Sequence, residues 1–138
     1  MSKTPLLDAV LIAEKTISLL YKIIDLSRNK SKNIDEYERI EKEIKKMKKA
    51  LWDLFSEAQK LYSHWVDYKD SSGADNSYYE TVPETRVIYD IGQILEYLKF
   101  YIFIPSEEDI KELEEDMKIL KELSKKAKNL AIKAGEKK

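Results

Sequence analysis

The sequence predicts an all-α fold, an elongated antiparallel bundle of about four helices with a long second helix as its spine. Three observations carry that expectation. Apolar residues recur at helical spacing in four segments, each segment opens on recognisable helix-start chemistry, and no strand-like alternation of useful length occurs. The helices are expected at about 5–28, 34–70, 82–103 and 107–134, within one domain covering 1–138, a length for which a single core suffices.

The first helix starts at Thr4-Pro5, an N-cap residue followed by a proline at the first helical position, and its apolar residues run from Leu6 to Leu26. Projected at 100° per residue, Val10, Ile12, Ile17, Leu19, Leu20 and Ile23 fall with Leu6, Ala13 and Ile24 on an apolar arc of roughly 200°, about twice what a surface helix needs. One partner helix cannot cover that arc. The helix is therefore either central in its own fold or buried against another chain; the second is the expectation, with Ile12, Leu19 and Ile23 at the contact.

The second helix opens on Asn33-Ile34-Asp35-Glu36, the spacing of a capping box, and meets no breaker before Ser71-Ser72-Gly73. Tyr37, Ile40, Ile44, Met47, Leu51, Leu54, Ala58, Leu61, Trp65 and Tyr68 follow one another by steps of three and four, a coiled-coil-like seam. At 1.5 Å per residue this helix is roughly 55 Å long against about 30–35 Å for its neighbours. The first helix should then lie along its first half and the third along its second half. Asp70 to Glu80 is the one substantial loop expected.

The third helix begins at Thr81-Val82-Pro83-Glu84 and stops before Pro105, because a residue preceding proline is pushed out of helical geometry. Ile88, Ile91, Ile94, Leu95, Leu98 and Ile102 form its core arc, while Tyr89, Phe100 and Phe103 project from the far side. Those aromatics need a cover, either the first or fourth helix or a partner protein. The fourth helix is capped by Ser106-Glu107-Glu108-Asp109, repeats the seam with Ile110, Leu113, Met117, Leu120, Ala127, Ala131 and Ala134, and ends at Gly135.

Composition excludes much. Lys and Arg number 25 and Asp and Glu 26, so no global field draws the chain to nucleic acid or anionic lipid. With no cysteine, disulfides, thiolate metal sites and a cysteine nucleophile are impossible. No secretory leader or membrane span of about 20 apolar residues stands at the N-terminus, so a cytoplasmic location is expected, without a membrane partner. Abundant Lys and Glu, with few Gln, lean toward a thermophilic composition.

The chemistry-bearing residues are few. His64 is the single histidine and reads as a surface residue. No Gly-rich phosphate loop or nucleophile elbow occurs. The carboxylates from Glu107 to Asp116 fall outside the Ile110, Leu113, Met117 stripe, where they suit the positive end of the helix dipole better than an inward metal site. No catalytic residue, cofactor, metal or small-molecule ligand is indicated. One basic cluster, Lys42, Lys45, Lys46, Lys48 and Lys49, runs into Trp52; Lys42, Lys45 and Lys49 share an outward sector with Trp52 at its edge, where cations could track phosphates and the indole stack on a base. The fourth helix, expected parallel to the second, would set its acidic first half near these lysines. The reading is a non-enzymatic interaction or assembly protein that packs against itself or another protein subunit through Tyr89, Phe100 and Phe103 and the first-helix arc. The alternative is a small nucleic-acid-associated subunit using Lys42, Lys45, Lys49 and Trp52.

Overall fold

The computed structural model describes residues 4–28, 34–70, 82–98 and 105–137, with the backbone alone over 64–70. Among them are four helices, α1 (Pro5–Arg28), α2 (Ile34–Asp70), α3 (Pro83–Leu98) and α4 (Glu107–Lys133). The fold is an all-α helical bundle. The expected extension of α3 to residue 103 lies outside the described residues.

Proline occupies the first position of both α1 and α3, where its missing N–H costs nothing. The Val82 carbonyl accepts the first helical bond of α3 from Arg86 N at 2.9 Å, so the cap of this helix falls one residue later than Thr81. The α4 start is a reciprocal capping box: Ser106 Oγ accepts from Asp109 N at 3.2 Å, and Ser106 N donates to Asp109 Oδ2 at 3.0 Å. Its end is a Schellman turn. Glu136 N reaches the Ala131 carbonyl at 2.9 Å and Gly135 N the Ile132 carbonyl at 3.1 Å, with Gly135 at φ 74°, a conformation glycine adopts without Cβ strain.

That turn has a distant consequence. Glu136, set just beyond it, accepts from Leu6 N and Leu7 N at 3.0 Å each, supplying an anion to the unpaired N–H groups that open α1. Three more polar contacts continue along the same seam: Glu14 with Lys128 at 3.0 Å, Tyr21 with Lys121 at 2.7 Å, and Arg28 with Glu114 at 3.1 Å. Partners step by seven in opposite directions, so α1 and α4 are antiparallel over the whole length of α1.

The first helix turns out to be central. It packs on α4, α2 and α3, and this triple coverage accounts for its wide apolar arc. Ile12 and Ile23 are 5% and 4% exposed and lie in the chain's own core, and Leu19 is half-buried against it. The expectation that a second chain covers this arc is therefore corrected: the arc is closed internally. Two buried hydroxyls on the same helix, Thr16 and Ser27, are satisfied by donating to the carbonyls of Ile12 and Ile23 at 2.7 and 2.6 Å.

The seam of α2 is buried from Ile40 through Ile44, Leu51, Leu54 and Ala58 to Leu61. Residues 34–39, Tyr37 among them, are exposed, so the seam begins one turn later than its sequence period suggests. Trp65, Tyr68 and His64 have side chains outside the described residues. Alignment with α3 is antiparallel along the second half of α2, as Ala58 opposite Gly92 and Tyr62 opposite Tyr89 fix. α1 runs along α2 and also touches α3, so the two neighbours overlap rather than dividing the spine. Around the bundle the order is α1, α2, α3, α4, with α2 and α4 at diagonal corners, their backbones apart among the described residues.

Candidate interaction face

The diagonal placement of α2 and α4 decides the surroundings of the lysine cluster. The acidic first half of α4 does not lie against it, contrary to the sequence expectation. Lys45 pairs with Glu41 at 3.4 Å and Lys46 with Glu43 at 3.6 Å, both within α2; Lys42 and Lys49 make no ion pair among the described residues. Lys48 departs from the group. It is 6% exposed, its stem enclosed with Leu20, Ile23, Ile44, Leu51, Leu98 and Leu113 around a void of about 10 Å³ where all four helices meet. Burial lowers its pKa from the ordinary 10.5. Its position one turn from Ile44 and three residues before Leu51 was the available signal.

Trp52 stands beside this layer, 45% exposed, with its ring edge-on to Phe55 at 6.5 Å. Further along the same flank of α2 comes a crevice of about 80 Å³ between α2 and α3. Gln59 and Tyr62 line it from α2, Tyr89 and Gln93 from α3, and Ala58 and Gly92 from its floor. Tyr89, expected on the far side of α3 and in need of a cover, is half-buried: its ring rests on Tyr62 at 5.6 Å and Arg86 lies over it at 5.6 Å. Its cover comes from α2 rather than from the first or fourth helix. Phe100 and Phe103 lie outside the described residues. Thus Trp52 and Tyr89, which the sequence assigned to two separate surfaces, belong to one face of the bundle.

Gly92 is unusual at this position. A mid-helix glycine is destabilising by about 0.5–1 kcal/mol relative to alanine. A Cβ placed there would meet the Ala58 Cβ at 3.9 Å, an ordinary contact. The fold itself does not require the glycine; its absent side chain keeps the crevice open. At about 80 Å³ the crevice is side-chain sized, well below the roughly 300–1,000 Å³ of small-molecule pockets.

On α4 the carboxylates mostly face solvent, but Asp116 turns inward. It is half-buried, Oδ2 has no hydrogen-bond partner among the described residues, and its pKa is pushed up to about 6 by burial first and then by Glu112 and Glu115. Sequence projection placed it with the exposed acids; it lies on the flank toward α3, where Tyr97 donates to Glu112 at 3.4 Å. No group of three or more His, Cys, Asp or Glu among the described residues is placed to hold a metal. No described helix is long and apolar enough to cross a membrane.

No protein-family model matches the chain, and no curated protein and no solved structure matches it either.

Proposed function

We propose that this chain is a non-enzymatic helical interaction module, a subunit that packs against copies of itself or against another protein through the α2/α3 face. The observation that carries the reading is the crevice over Gly92. A glycine that the fold does not need holds open a notch the size of one side chain, bordered by Tyr62, Tyr89, Gln59 and Gln93. Aromatic rings that offer both an apolar face and a polar tip, beside a small notch a partner side chain can fill, are the composition of protein contact centres. Exposed Trp52 extends the same face.

A second reading has its own support. With α4 on the far diagonal, Lys42 and Lys49 keep their charge uncompensated among the described residues, next to Trp52. That arrangement suits a nucleic-acid strand, whose phosphates would follow the lysines while a base stacks on the indole.

A photo-crosslinking residue at Gln93, compared with one at exposed Lys15 on α1, separates the readings in the cell that makes the chain. A discrete protein adduct from position 93 alone is expected. Adducts sensitive to nuclease would favour the second reading, and equal labelling from both positions would remove the module reading.

A further inference from the structure

Two exposed stripes on opposite corners of the bundle match each other. On the crevice side of α2, Lys45, Lys49, Trp52, Ser56, Gln59 and Ser63 follow one another by steps of four and three; all six are exposed and none is acidic. On the outer side of α4, Glu108, Glu112, Glu115, Ile119, Glu122 and Lys126 have the same stepping; all six are exposed, and four of them are carboxylates. Ile119 stands among these acids as a large aliphatic side chain 43% exposed. One stripe thus carries a notch and cations, the other an aliphatic knob and anions.

We propose that a second copy of this chain docks its α4 stripe along the α2/α3 face, with Ile119 seated in the crevice over Gly92. The inference rests on the interaction-module reading and names the partner. Alignment follows from charge. With the docked helix parallel to α2 and Ile119 set over Gln59, Glu112 stands level with Trp52 and Glu108 comes beside Lys49. Run antiparallel, the same seating would set Lys133 against Lys45, a like-charge pair in place of the Glu108 and Lys49 one. The steps of three and four on both stripes are those by which side chains of adjacent helices interdigitate. Because the two stripes are exposed on diagonal corners of the bundle, the contact cannot close within one molecule. Each copy therefore carries one knob face and one notch face, a heterologous contact that continues into a ring or an open chain.

The test is complementation between two variants, followed by sedimentation and thermal melting. Gly92→Leu fills the notch and leaves the knob; Ile119→Gln removes the knob and leaves the notch. The unmodified chain should exceed its 16.2 kDa monomer mass at micromolar concentration and disperse as salt rises. Each folded variant alone should remain a monomer. An equimolar mixture should form a complex of two chains and stop there, since only one intact knob and one intact notch are present. Gly92→Ala, whose added Cβ finds an ordinary contact, serves where the leucine variant does not fold; it should weaken association without lowering the melting temperature. A monomeric unmodified chain, a mixture that stays monomeric, or assembly that survives both substitutions would overturn the contact. A protein adduct at Gln93 from a different chain, together with a monomeric unmodified protein, would leave the module reading standing and remove this partner alone.

Discussion

Replacing Asp116 by asparagine should stabilise the bundle, and by an amount that depends on pH. The carboxylate is half-buried on the α3 side of α4, with Oδ2 unpartnered among the described residues and Glu112 and Glu115 nearby. Its folded pKa is about 6 against an ordinary 3.8. Between those values the folded chain holds a proton that the unfolded chain has released, so stability falls as pH rises through this window. At about 1.4 kcal/mol per unit the gap corresponds to roughly 3 kcal/mol. Residual solvation of a half-buried group reduces this to about 1–2 kcal/mol. Asp116→Asn removes the charge while keeping the shape. Below about pH 4 the two proteins should melt together; by about pH 7.5 the variant should be ahead by about 1–2 kcal/mol, or about 3–6 °C. Thermal melts of both proteins across that range measure the difference directly, because carboxylates other than Glu112 and Glu115, which interact with Asp116, contribute equally to each curve. Parallel stability curves, with no divergence between pH 4 and 7, would refute the placement of Asp116.

Other substitutions probe other parts of the structure. Leu51→Ala and Leu61→Ala should each cost about 2–5 kcal/mol in denaturant melts, since both truncate buried seam residues of α2; an unchanged midpoint for either would take that position out of the core. Gly92→Ala should raise stability by about 0.5–1 kcal/mol, given helix propensity and the open space above Ala58, and a loss would mean the crevice is structurally required. Glu136→Ala should cost about 1 kcal/mol by removing the anion that accepts from Leu6 N and Leu7 N; faster amide exchange at those two positions is the accompanying sign. Lys42→Glu with Lys45→Glu and Lys49→Glu should leave the melting temperature almost unchanged, as the side chains are exposed, while abolishing any retention on single-stranded nucleic acid.

What the sequence made legible was radial and local. The period of Ile40, Ile44, Leu51, Leu54, Ala58 and Leu61 points one face of α2 inward whatever lies opposite, and Ser106 with Asp109, or Gly135, act through their own turns of backbone. The order of helices around the bundle is a different matter. A helical projection says which residues turn inward but not which neighbour they meet, so the arc of α1 read equally well as an interface until α2, α3 and α4 were seen to share it. The same gap hid the union of Trp52 and Tyr89 on one face, which depends on the register between α2 and α3. Lys48 and Asp116 escaped because residue type was weighed above position: each sits on the shoulder of a buried stripe, where a long stem or one carboxylate oxygen can be enclosed. The Glu136 clamp joins residues at opposite ends of the chain, and no local pattern announces it.

The claim that this bundle is an assembly module is tested most directly by its mass in solution, measured by light scattering from about 1 to 100 micromolar at low and at high salt. A mass above 16.2 kDa that grows with concentration and falls with salt is the expected result. A mass of 16.2 kDa throughout, with no protein adduct from position 93, would contradict it.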